Sequence, residues 1–143
     1  MKILKIFFLF LVVCALTAAC KKKPQPGHAT FKLDEIFELK LNGSSQLADG
    51  DLKLTFTAVP EDSRCPKGLD CFQEGRIKIT LAAISSGQVR VMEFSRQASQ
   101  TGIVARPFEN FNIQWIEVSP YPEKDIKIRP EDYTLKLAVK KGV

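Results

Sequence analysis

From Phe31 onward, apolar and polar residues alternate with a period of two. Phe37, Leu39 and Leu41 alternate with Glu38 and Lys40, and Leu52, Leu54, Phe56 and Ala58 with Lys53, Thr55 and Thr57. Ile77, Ile79, Leu81 and Ala83 alternate with Lys78, Thr80 and Ala82, and Tyr133, Leu135, Leu137 and Val139 with Thr134, Lys136 and Lys140. Successive side chains of a strand point to opposite faces, so this period predicts strands with one buried face and one wet face. Two further strands are less one-sided: Val89 to Phe94, and a stretch holding Phe111, Ile113, Trp115, Ile116 and Val118. Asn42-Gly43, Asp49-Gly50, Ser86-Gly87 and Ser119-Pro120-Tyr121-Pro122 supply turns between them. No stretch has helical periodicity beyond a short turn at Pro130-Glu131-Asp132, and no connection is long and helical enough for a parallel crossover. The expected fold is all-β: a single antiparallel β-sandwich, or a partly open barrel, of six to seven strands.

The N-terminal pattern differs. Lys2 and Lys5 precede the apolar run Ile6–Val13, then come the small residues Ala15-Leu16-Thr17-Ala18-Ala19, Cys20, and Lys21-Lys22-Lys23. This is the layout of a bacterial lipoprotein signal peptide, with cleavage before Cys20 and acylation of that residue. The apolar run is shorter than the roughly 20 residues that a transmembrane helix needs. An ordinary secretory signal and an uncleaved anchor are the alternatives, since Thr17 stands where a lipobox usually has Leu. The expected organisation is a signal at 1–19, a lipid-anchored tether at 20–30, rich in Pro and Lys, and a β-domain at 31–143. Lys21, where some inner-membrane lipoproteins carry Asp, points toward the outer membrane.

This division changes the meaning of the charge. The chain has 21 Lys and Arg against 16 Asp and Glu, but Lys2, Lys5, Lys21, Lys22 and Lys23 all precede the domain, which is left balanced. A neutral domain lacks the clustered basic face of a nucleic-acid binder. The basic triplet suits anionic headgroups beside an acylated cysteine, or is a solvated linker run. Of the four cysteines, Cys14 leaves with the signal and Cys20 takes lipid, so Cys65 and Cys71 remain to pair in an oxidising compartment. The one histidine, His28, lies in the tether, so the domain has neither a histidine base nor ligands to complete a zinc site. No metal or other cofactor is expected.

The loop from Pro60 to Gly75 carries the most distinctive chemistry. Glu61, Asp62, Arg64, Asp70 and Glu74 form a candidate partner-binding surface clipped by Cys65 and Cys71, or else a hairpin loop held by its own polar network. Asp62 and Ser63 suit local backbone N–H groups, Arg64 can span the loop to a carboxylate, and Gly75 suits a bulge where the next strand begins. The four carboxylates also offer oxygens to a hard cation, although their spacing matches no EF-hand. The run Glu61-Asp62-Ser63-Arg64-Cys65-Pro66, with Cys71 and Gly75 after it, resembles a motif of small uncharacterised bacterial exported proteins and lipoproteins, E-D-S-R-C-P-x(4,5)-C-x-W-x-G. Those proteins often have a Pro-Tyr-Pro and a late Asp-Tyr strand; here Pro120-Tyr121-Pro122 and Asp132-Tyr133 correspond, while Gln73 stands at the Trp position. The resemblance implies a secreted β-domain and carries no activity.

Three features admit two readings each. Ser95 to Asn110 reads as a long mobile loop or a ligand loop. Trp115 is an interface anchor or, with Ile113 and Ile116 beside it, a core residue. Tyr133 is a corner tyrosine bonded to backbone or a half-buried aromatic. Without a histidine, a free thiol or a Gly-rich phosphate loop, the chain is expected not to be an enzyme. The expected function is a cell-envelope lipoprotein, fixed to the membrane by its N-terminal lipid, whose β-domain binds an envelope protein, peptide or glycan. The alternatives are a structural envelope lipoprotein without a discrete ligand and a secreted enzyme using carboxylates.

Overall fold

The computed structural model describes residues 29–142. The expected signal, most of the expected tether and Cys20, the expected acylation site, therefore lie outside the described residues. Among the described residues nine strands form: β1 (Ala29–Phe31), β2 (Ile36–Lys40), β3 (Ser44–Leu47), β4 (Lys53–Asp62), β5 (Arg76–Ser85), β6 (Gln88–Gln97), β7 (Val104–Phe108), β8 (Phe111–Ser119) and β9 (Thr134–Lys141). One 3-10 turn, Pro130–Asp132, precedes β9. The strands make two sheets, one of order β1-β3-β4-β5-β6 and one of order β2-β9-β8-β7. The fold is all-β and has the two packed sheets of a sandwich. Ala29, two residues before the expected start of the domain, is already paired with Ser45.

One pairing departs from the antiparallel expectation. β1 runs parallel to β3, with Phe31 opposite Leu47. The physical reason is that β2, between them in sequence, belongs to the other sheet, so the chain crosses the sandwich and returns in the same direction without a helical crossover. The segment 95–110 also differs from a structureless loop. β6 continues to Gln97, and Val104–Phe108 forms β7 at the edge of the second sheet, where Pro107 is tolerated.

Alternation explains the core. On β5 the side chains of Ile77, Ile79, Leu81 and Ala83 are buried, and Leu54 and Phe56 of β4 share their face. From the opposite sheet come Ile113, Trp115 and Val118 of β8 and Leu135, Leu137 and Val139 of β9. Trp115 is fully buried and meets Phe94 edge to face. Each large apolar side chain removed from water contributes about 1.5–3 kcal/mol, opposed by chain entropy. The β5–β6 hairpin closes in two residues, Ser86 and Gly87, both with positive φ, as a type I′ turn requires. The Asp51 carboxylate accepts the Ser86 N–H and the Ser85 hydroxyl, which holds its pKa below the usual value.

The buried positions on β8 break step: Ile113 and Trp115 point inward, but the next is Val118. Trp115 pairs with Leu137 and Glu117 with Lys136, leaving Ile116 as the extra residue of a bulge. A second irregularity follows Phe56 on β4, so Ala58 is only half-buried.

Candidate functional site

β4 and β5 end together, with Asp62 opposite Ile77, and the 63–75 loop joins them at one end of the sandwich. The Cys65–Cys71 disulfide closes the tip, with Cα atoms 5.9 Å apart. Gly75 fits this loop for a specific reason. Its φ is +70°, and a Cβ there would overlap the Ser63 carbonyl outright. The close approach lets the two limbs bond: the Ser63 N–H reaches the Arg76 carbonyl at 2.8 Å, and the Cys65 N–H reaches the Glu74 carbonyl at 3.0 Å.

The charged residues of the loop go to different places. Asp62 and Arg64 turn inward, their side chains only 8% and 6% exposed. Arg64 donates from Nε to Asp62 Oδ1 and from Nη2 to Asp62 Oδ2, both at 2.7 Å. Its remaining donors reach far along the chain, to the Val118 carbonyl at 3.4 Å and the Pro120 carbonyl at 2.9 Å. Tyr121 lies against the guanidinium, 4.7 Å from ring centroid to Cζ. The Tyr133 hydroxyl donates to Asp62 Oδ2 at 2.9 Å. Burial first, and then this bond to a carboxylate, push the Tyr133 phenol up to about 12. Tyr133 is thus a half-buried aromatic bonded to a side chain rather than to backbone.

Glu61 points the other way. It pairs with Arg76 at 2.8 Å and Lys78 at 3.4 Å, and it accepts the Ser63 hydroxyl at 3.2 Å. The Arg76 bond is the main reason its carboxyl titrates below the usual range. Glu74 accepts the Ser99 N–H at 2.8 Å, tying the loop to the segment after β6. Asp70 is exposed at the tip, together with Leu69 and a fully exposed Phe72. Glu61, Asp62, Arg64 and Glu74 are therefore brought together as structural partners of their neighbours, while Asp70 stands apart.

Two open grooves flank the loop. One, of about 410 Å³, lies between Glu61, Ser63, Gln73, Glu74, Arg76 and Gln97. The other, of about 420 Å³, has Arg64 and Tyr121 on one wall and Arg96, Gln97, Gln100 and Thr101 on the other. Sequence reasoning did not single out Arg96. It continues the inward face of β6 after Met92 and Phe94, and its guanidinium lies 4.2 Å from the Trp115 ring centroid. Nη1 and Nη2 both donate to the Ile116 carbonyl, at 3.0 and 3.1 Å, and Nη1 also reaches the Gly102 carbonyl at 2.8 Å. The bulge exposes that carbonyl, and the sequence signal for it was Trp115-Ile116, two large apolar residues in succession where strict alternation allows one. Burial first, and then the nearby positive charge of Arg64, push the Arg96 pKa down, with Glu117 partly opposing.

Comparison with known proteins finds no matching family model, no matching curated protein and no matching solved structure.

Proposed function

We propose that this chain is a cell-envelope lipoprotein, acylated at Cys20, whose β-sandwich is a binding module for an envelope protein, peptide or glycan. The observation that carries the reading is the setting of Cys20, between a short apolar run ending in small residues and a basic, Pro-containing spacer. The Cys65–Cys71 disulfide supports it, because such a bridge persists in an oxidising compartment. The tether expected at 20–30 would span at most about 40 Å even when fully extended, which keeps such a module close to the bilayer. The carboxylates of the 61–74 loop are engaged with Arg64, Arg76, Lys78 and the Ser99 amide. That engagement favours a rigid recognition scaffold over carboxylate catalysis.

The test is to replace Cys20 with Ser and fractionate cells. The wild-type protein should sediment with membranes and the variant should appear in the soluble exported fraction. Equal membrane recovery of the two would overturn the lipid anchor. Crosslinking in intact envelopes addresses the module: a discrete partner supports it, and recovery of abundant lipoproteins alone favours the structural alternative.

A further inference from the structure

Arg96 is built like Arg64, with one difference. In Arg64 the edge formed by Nε–H and Nη2–H grips both oxygens of Asp62. In Arg96 the opposite edge is spent on the Ile116 and Gly102 carbonyls. Nε–H and the second Nη2–H find no acceptor among the described residues, and no ion pair there includes Arg96. Arg96 is thus a half-buried cation without a direct ion pair, beside an Arg64 whose charge Asp62 neutralises. The groove beside it holds one carboxylate, Glu117, which is already paired with Lys136 at 2.9 Å.

We propose that this groove is a binding site for the C-terminal carboxylate of a peptide, held by the open Nε–Nη2 edge of Arg96. The match is geometric: the two parallel N–H groups of that edge suit the two oxygens of a carboxylate. Stacking on Trp115 and the two carbonyl contacts hold the guanidinium in place before the ligand arrives, so little entropy is lost on binding. Gln97, Gln100 and Thr101 offer polar groups for peptide amides, and the Tyr121 ring an apolar surface for a side chain. A volume of about 420 Å³ accommodates one or two residues. A peptide is favoured because the fork, the polar side chains and the Tyr121 ring line one groove between the ends of the two sheets. The proposal deepens the binding-module reading by naming the ligand, and it is independent of the lipid on Cys20.

The test is a thermal-shift titration of the purified full chain with N-acetyl-alanyl-leucine, its C-terminal amide and inorganic phosphate. An NMR arm follows the indole N–H of the chain's one Trp, Trp115. The free acid should raise the melting temperature by several degrees at saturating concentration. It should also move the Trp115 resonance, and the amide should do neither. R96K, which keeps a cation but lacks the fork, should lose at least tenfold in affinity. Equal binding of acid and amide, undiminished binding to R96K, or no binding of the acid at 10 mM (about the weakest affinity of interest) would overturn the proposal. Phosphate binding as tightly as the acid would overturn the peptide assignment. If R96K does not fold, the acid-against-amide comparison in the wild type still decides. An R96K protein that keeps its envelope crosslink at full yield would overturn this site while leaving the binding-module reading in place.

Discussion

Replacing Asp62 with Asn should be among the most destabilising surface-loop changes in this protein. Asp62 and Arg64 look like an ordinary ion pair between neighbours, yet their side chains are 8% and 6% exposed. Asp62 also accepts the Tyr133 hydroxyl, and Arg64 satisfies two carbonyls of the Val118–Pro120 turn. The Asn variant keeps the volume and one acceptor oxygen but removes the charge that balances Arg64. Breaking a buried pair from one side costs about 3–5 kcal/mol, because the surviving charge stays desolvated. The two backbone carbonyls still solvate Arg64, so the lower end, about 3 kcal/mol, is expected for D62N. The companion D62L/R64M removes both charges but leaves the Val118 and Pro120 carbonyls and the Tyr133 hydroxyl without their partners, at about 1 kcal/mol each, so it should cost about as much as D62N. Equilibrium urea unfolding with unchanged m-values measures both. A D62N loss within about 0.5 kcal/mol of wild type, the range of neutral surface changes, would refute a desolvated pair.

Other predictions rest on single features. A spectrophotometric titration should show a phenol ionising at about 12, absent from Y133F. Because the folded value is raised above the ordinary 10.0, Tyr133's contribution to stability is present below pH 10 and is lost as pH rises from 10 to about 12. Glu61 has the opposite sign: its folded pKa lies below 4.5, so its contribution holds above that value and falls away on further acidification. Acid unfolding of E61Q should lack that component. Gly75→Ala should lower stability by more than about 1 kcal/mol in thermal or urea unfolding, from positive φ and overlap with Ser63 together. Phe72→Asp, at a fully exposed position, should leave stability within about 0.5 kcal/mol of wild type. Removing the Cys65–Cys71 bridge as C65S/C71S should cost about 2 kcal/mol, as expected for so short a loop.

What could be read from the sequence followed from one-sided burial. β4, β5 and β9 each bury one face, so the alternation of Leu54-Phe56, Ile77 to Ala83 and Leu135 to Val139 shows directly in the chain. β3, Ser44–Leu47, and β7, with Arg106 and Pro107, are short and polar, so they carry no such periodicity. The parallel β1–β3 pair depends on β2 leaving for the other sheet, a long-range choice that local pattern does not encode. At the candidate site the residue types were legible and their environments were not. Arg64 sits in a run of charged residues that reads as wet, and it is buried only because Val118, Pro120 and Tyr121 fold over it from more than fifty positions away. Arg96 became visible as a site residue once the bulge at Ile116 placed a carbonyl beneath it.

The reading of this chain as a membrane-tethered module stands on Cys20, and the mass of the mature protein extracted from envelopes tests it most directly. The account predicts a chain that begins at Cys20, carries two or three acyl groups there, and has Cys65 linked to Cys71. A chain beginning at Met1, or one with an unmodified Cys20, would contradict it.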